Sequence, residues 1–210
     1  MDYKFAPAFI SKSFSGLYDP ITTLLGAGKR FHQIILNLAD IGPNDRVADI
    51  GCGTGSFLVL AKSLNRTVKF IGIDPDDKIL EVAAHKISKR SLDIQLVKAY
   101  AEQLPFPDNS FTKIFSTLAF HHMPFEVKKA AAREIYRTLE TGGQFFLNDF
   151  GKPKNFFWKI ILTLESLIEP TAYIKDNLKG QLPLLLRGAG FSVKELRQPY
   201  LGIRFYLATK

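Results

Sequence analysis

Val47-Ala48-Asp49-Ile50-Gly51-Cys52-Gly53-Thr54-Gly55-Ser56-Phe57 is the densest grouping in this chain of residues able to grip a small molecule. An apolar run ends in Asp49. Gly51, Gly53 and Gly55 then alternate with Cys52 and Thr54 before a helical pattern begins. Glycine lets the backbone turn tightly and lets a ligand lie against bare main chain, and the helix that follows presents its free N–H groups at the same place. The spacing is G-x-G-x-G behind an acid, not the G-x-G-x-x-G of a pyrophosphate-binding turn. The plain alternative is an ordinary strand-to-helix connection. A second apolar run, Phe70-Ile71-Gly72-Ile73, ends in a second acid, Asp74. An acid at that distance from the glycines can accept both hydroxyls of a ribose. It can also belong to a helix start, because Asp74-Pro75-Asp76-Asp77 suits one. The two roles are compatible if Asp74 faces a ligand while Asp76 caps the helix.

His121 and His122 are a further candidate. Adjacent loop residues do not share a face and no Asp, Glu or Cys cluster accompanies them, so no metal site is expected. A histidine in a cleft can take a proton from a hydroxyl, phenol or amine; the alternative is a packing and helix-start role ahead of Pro124. Cys52 is the single cysteine. It provides no intramolecular disulfide and no thiolate cluster, which fits a reducing compartment. Within a turn of small residues it reads as packing sooner than as a nucleophile.

These residues need elements to hold them. Strands are expected at 46–50, 69–74, 93–98, 112–117, 143–149, 191–196 and 201–208, with helices near 29–40, 55–64, 76–90 and 124–140. Runs such as Phe145-Phe146-Leu147 are apolar without alternation, as in a parallel sheet covered on both faces. The alternation of strand and helix predicts a single doubly wound α/β domain with its ligand at the carboxyl ends of the strands. The last two strands are joined around Gln198-Pro199, too short for a parallel crossover, so they should be antiparallel. The expected organisation is one domain over 1–210: an N-terminal lid and helices at 1–45, a cofactor-binding core at 46–150, a substrate-side helical insertion at 151–190 and closing strands at 191–210.

The ordered motifs resemble a known family. Asp49-Ile50-Gly51-Cys52-Gly53-Thr54-Gly55 is similar to the first motif of the class I S-adenosylmethionine-dependent methyltransferases. Ala99-Tyr100-Ala101-Glu102-Gln103-Leu104-Pro105-Phe106-Pro107 and Ser116-Thr117-Leu118-Ala119-Phe120-His121-His122-Met123 resemble later motifs of their ubiquinone/menaquinone-biosynthesis-like group, and Arg137–Gly143 resembles its helix end. The likeness covers about half of the chain, 46–150. It implies a Rossmann-like seven-stranded, mostly parallel sheet with an antiparallel last strand, and S-adenosylmethionine as cofactor. It also implies that Asp49, Gly51, Cys52, Gly53, Thr54 and Gly55 hold the methionine end. Asp74 would hold the ribose, Pro75, Ala101 and Glu102 would flank the adenine, and Ser116 would face the cofactor. His121 and His122 would stand on the substrate side as candidate catalytic groups. Tyr100 replaces the usual Asp near the adenine, and Thr112 replaces the Asp usual after Phe111.

Outside the core, Phe5, Phe9, Phe14, Leu17 and Tyr18 read as an apolar lid. Phe156–Ile168 reads as a helix with a wide apolar face and a polar stripe at Lys159, Thr163 and Ser166. That helix either covers the sheet or admits an apolar substrate. The formal net charge is +8, and from Gly151 onward ten Lys/Arg face four acids. A field of this sign attracts anionic partners, or is simply a solvated basic surface. The expectation is methyl transfer to a small apolar or lipid-like acceptor by a cytoplasmic protein able to touch an anionic membrane peripherally. Neither a secretory leader nor a membrane span is read in the sequence. Alternatives are an RNA methyltransferase or a cofactor-binding domain without transfer. Nucleic acid is disfavoured because no Asn-Pro-Pro-Tyr-like motif follows the fourth strand.

Overall fold

The unbroken apolar runs become the buried strands of one seven-stranded sheet. A computed structural model describes residues 28–153, 173–200 and 202–210. In chain order these form α1 (Lys29–Ala39), β1 (Arg46–Ile50), α2 (Ser56–Leu64), β2 (Lys69–Asp74), α3 (Asp77–Ser88), β3 (Gln95–Lys98) and β4 (Phe111–Thr117). A short turn of 3-10 helix at Phe120–His122 follows, then α4 (Phe125–Thr138), β5 (Leu139–Phe150), α5 (Lys175–Leu178), α6 (Leu182–Gly188), β6 (Ser192–Tyr200) and β7 (Ile203–Thr209). The expected lid residues Phe5, Phe9, Phe14, Leu17 and Tyr18 and the expected helix Phe156–Ile168, with its Lys159, lie outside the described residues.

The strand order is β3-β2-β1-β4-β5-β7-β6. The first five strands are parallel, and β7 lies antiparallel to both β5 and β6. Successive strand residues point to opposite faces, so each strand feeds two cores. Val47, Phe70, Phe115, Phe146 and Phe205 pack with Phe31 of α1 and Phe57 of α2. Ala48, Ile73, Ile114, Phe145 and Leu147 pack with Ile135 of α4 and Leu186 of α6 on the other side. Strands buried on both faces have no polar side to show, which is why the sequence does not alternate.

One boundary differs from expectation. Leu139 pairs with Phe111 before a register shift and Gln144 then pairs with Lys113, so 139–143 belongs to β5 and not to a helix end and turn. The chain leaves β1 toward β2 and β3, while β4 pairs with the other edge of β1. That reversal opens a crevice beyond the carboxyl ends of β1 and β4. No helix among the described residues is long and apolar enough to cross a membrane.

Candidate functional site

The turn after β1 is built around positive φ angles, 72° at Gly51, 52° at Gly53 and 73° at Gly55, a region that disfavours side chains with a Cβ. Gly51 N and Cys52 N donate to the Ile73 carbonyl at 2.8 and 3.0 Å, which docks the turn on the end of β2. Asp74 completes the junction. Its Oδ2 accepts from Gly53 N at 3.0 Å and its Oδ1 from Asp76 N at 3.0 Å. Asp76 is the N-cap of α3, accepting from Lys78 N at 2.9 Å. The division of labour expected for the two acids is therefore present on the capping side: Asp76 caps, and Asp74 is left at the cleft wall.

An open cleft lies at this junction, lined by Gly51, Gly53, Asp74, Pro75, Tyr100, Ala101 and Glu102 and by Leu118, Ala119, His122, Met123 and Val127. A Cβ placed on Gly53 meets no atom within 4 Å, so a side chain there would project into unfilled space. A Cβ on Gly51 would instead collide with Ala119, so this glycine lets the loops after β1 and β4 close on each other. Behind the turn, Asp49 is buried and its Oδ1 has no hydrogen-bond partner. Burial, and then the charge of Asp74, push its carboxyl up to about 8. Asp74 is also raised, by burial first, although the N–H groups of Asp76 and Gly53 oppose the rise.

The histidine pair divides between two environments. His122 lines the cleft, where burial and then the neighbouring His121 push its ring down to about 3, so it is neutral at physiological pH. His121 turns toward β5. Its Nδ1 lies 2.9 Å from Asp149 Oδ1 and its ring 4.9 Å from the Phe150 ring centroid.

Residues 47–143 match the family of the methyltransferase domain. An uncharacterized methyltransferase of Synechocystis is 31% identical over 173 residues, which cover 82% of this chain and 78% of that protein. The chain belongs to the S-adenosylmethionine-dependent methyltransferases. A demethylmenaquinone methyltransferase of Symbiobacterium thermophilum is 28% identical to this methyltransferase over 224 residues, 92% of this chain and 88% of the relative. Among solved structures, the YcgJ protein of Bacillus subtilis matches with a TM-score of 0.69 at 26% identity, over 80% of this chain and 70% of its own. The cofactor of that family is S-adenosylmethionine. The methyltransferase's own residues fit it: a buried carboxyl oxygen without a partner, a glycine facing open space and a second acid on the cleft wall stand at one turn.

Not every expected residue reaches the cleft of the methyltransferase. Ser116 is fully buried, and its hydroxyl donates to the Ile50 carbonyl at 2.9 Å. It ties β4 to the end of β1, and is not on the cleft wall. Gly55 sits against Ala83 of α3, and Thr54 is buried in the turn. Cys52 is buried beside Gly72; burial, and then the charges of Asp49 and Asp74, raise its thiol well above the usual range, which suits packing and not nucleophilic attack. Thr112 lies at the far end of β4, where its hydroxyl donates to Asp45 Oδ1 at 2.6 Å and accepts from Arg46 N at 3.0 Å. That departure from the family pattern therefore does not touch the cleft. Tyr100 is 45% exposed on the cleft wall.

Three buried residues around His121 carry no expectation from the sequence: Asp149, Lys128 and Asn177. Asp149 has a signal, since β5 is a third apolar strand ending in an acid. Lys128 has one too. It lies three, four and seven residues before Ala131, Ala132 and Ile135, on the apolar stripe of α4.

Proposed function

We propose that the chain transfers the methyl group of S-adenosylmethionine to a small apolar or lipid-like acceptor, of the quinone-precursor type suggested by the demethylmenaquinone methyltransferase relative. The observation that carries this reading is the composition of the cleft wall. Of its lining residues only Asp74, Tyr100, Glu102 and His122 have polar side chains, and the β4 end is walled by Leu118, Ala119, Met123 and Val127. Bound S-adenosylmethionine supplies a methyl group already activated by its sulfonium. The protein's work is alignment, exclusion of water and management of one proton. Asp49 and the Gly51–Gly55 turn hold the methionine end, Asp74 the ribose hydroxyls, and Pro75, Ala101 and Glu102 the adenine. One of the two histidines takes the proton that a hydroxyl or amine acceptor gives up.

A peripheral contact with anionic lipid is part of this reading. Leu184 of α6 is 65% exposed, and a groove beside it is lined by Phe125, Lys129 and Arg133 of α4. Apolar surface beside cations suits an anionic interface. The test is to incubate the protein with methyl-labelled cofactor and a cell extract, then separate lipid, small-molecule and RNA fractions. Label in the lipid or small-molecule fraction is expected. Label confined to RNA would sink the acceptor class.

A further inference from the structure

The stretch between β3 and β4 supplies Tyr100, Ala101 and Glu102 to the cleft wall, yet it has no strand or helix of its own. A wall that moves must be ordered each time a ligand binds, so something has to fix those three residues. At the near end Ala99 N donates to the Asp74 carbonyl at 3.3 Å, which ties the loop to the end of β2. At the far end two charged residues of α4 grip it. Glu134 Oε2 accepts from Leu104 N at 2.9 Å. Arg137 Nη2 donates to the Leu104 carbonyl at 3.1 Å, and Nη1 to the Phe106 carbonyl and to Asp108 Oδ1, both at 2.8 Å. The two α4 side chains also hold each other, Arg137 Nε donating to Glu134 Oε1 and Nη2 to Oε2, both at 2.8 Å. A two-pronged pair of this kind fixes direction as well as distance. The bond from Arg137 holds the Glu134 carboxyl below the usual range although burial opposes it, and Glu134, then Asp108, raise the guanidinium. A cation in the last turn of a helix is favoured by the helix dipole. That role asks for no partner in the loop, and three of the five bonds from this guanidinium leave α4 for it.

We propose that Arg137, fixed by Glu134, is a positioning residue for the cofactor: by anchoring Leu104 and Phe106 it holds Tyr100, Ala101 and Glu102 where they receive the adenine end of S-adenosylmethionine. Arg137 does not itself line the cleft, so its effect reaches the cofactor through the loop. Helix α4 adds Val127 to the cleft, and Glu134 follows seven residues later on the same face. One helix therefore carries both a lining residue and, about 10 Å along its axis, the clamp that places three others. A clamp that supports adenine binding is supported by bound adenine to the same degree, because coupling between two sites is reciprocal. The methionine end, assigned to the turn after β1, should be indifferent to it.

This rests on the placement of adenine against Ala101 and Glu102 proposed above, and the experiment separates the two. 1H–15N titrations of labelled protein with S-adenosylhomocysteine, with adenosine and with S-ribosylhomocysteine, which lacks the adenine, read the two ends of the cofactor apart. In the wild type adenosine should shift the amides of Ala101 and Glu102. Arg137→Gln should weaken S-adenosylhomocysteine and adenosine by about tenfold or more and leave S-ribosylhomocysteine within about twofold. Arg137→Lys, which keeps the charge but not the fork, should recover part of the loss. In the wild type, saturating adenosine should slow solvent exchange of the Leu104 amide and of Arg137 Nε–H by about the same factor. Equal loss of affinity for all three ligands makes Arg137 a general support of the fold and overturns the proposal, as does unchanged affinity for adenosine. Exchange indifferent to adenosine overturns it whether or not the variants fold. If adenosine shifts neither Ala101 nor Glu102, the adenine placement fails and the proposal falls with it. Shifts at both, with Arg137→Gln binding adenosine as the wild type does, leave the placement standing and remove only the clamp.

Discussion

Asp49→Asn tests whether the site carries an electrostatic cost in the absence of cofactor. The Asp49 carboxyl is held at about 8 in the folded chain against an ordinary 3.8, with burial the largest cause. For an acid raised in this way the folded state is favoured at low pH. That advantage is complete below pH 3.8 and is lost as pH rises to about 8. Every pH unit above the ordinary value costs about 1.4 kcal/mol, so ionisable Asp49 lowers stability at pH 7 by about 4 kcal/mol relative to a permanently neutral side chain. Because Asp49 Oδ1 has no partner, the asparagine amide will also lack one, a pH-independent cost of about 1–3 kcal/mol. The pH slope is therefore the readout. Urea unfolding of both proteins followed by circular dichroism should show the difference moving in favour of Asp49→Asn by about 2.5 kcal/mol between pH 5 and pH 7. A constant difference over that range would mean that Asp49 ionises as it does in water and that burial does not govern its charge.

Two further substitutions probe the same turn. Gly53→Val should abolish binding of S-adenosylhomocysteine, because its side chain enters the open space of the cleft. The strained φ of 52° should cost about 1–3 kcal/mol of stability; loss of the cooperative thermal transition would instead make the glycine a folding requirement. Asp74→Ala removes the acceptor of both Gly53 N and Asp76 N as well as the proposed ribose acceptor. With charge-assisted bonds at about 1.5–3 kcal/mol each, calorimetry should show at least tenfold weaker binding of S-adenosylmethionine and of its demethylated product. Equal affinity would remove Asp74 from the site.

Much of this arrangement is legible in the sequence because the parallel sheet writes an unusually direct signature. Its strands are buried on both faces, so Phe70–Ile73 and Phe145–Leu147 appear as continuous apolar runs, and the acids Asp49 and Asp74 mark where those runs reach the cleft. The bulge that starts β5 at Leu139 is hidden, since Leu139-Glu140-Thr141-Gly142-Gly143 has the composition of a helix end followed by a turn. Ser116 departs from expectation for a related reason. A polar residue at the end of a strand can satisfy itself on a neighbouring strand's carbonyl as readily as on a ligand, and only the register of β4 on β1 decides between them. The Lys128–Asn177–Asp149–His121 network joins residues up to 56 positions apart in the numbering. Periodicity can flag Lys128 as out of place on its stripe, but it cannot say what it reaches.

Asp49 and Asp74 differ in a way that bears on how the enzyme handles donor and product. Both are raised by burial, but both oxygens of Asp74 accept backbone N–H groups, while Asp49 Oδ1 has none. Environments that push two neighbouring acids apart assign them different tasks. Asp74 is suited to accept hydroxyl protons, and Asp49 is poised for a cation whose arrival makes ionisation favourable. In S-adenosylmethionine the cation at the methionine end is its ammonium group, which the demethylated product keeps. An interaction common to donor and product is uniform binding, which lowers KM without raising kcat. Asp49→Asn should therefore weaken donor binding and product inhibition by similar factors. The wild-type affinity for S-adenosylhomocysteine should rise between pH 6 and pH 8, by up to tenfold per pH unit, and that dependence should vanish in the variant. Affinity for the product flat across this range in the wild type would separate Asp49 from the cation.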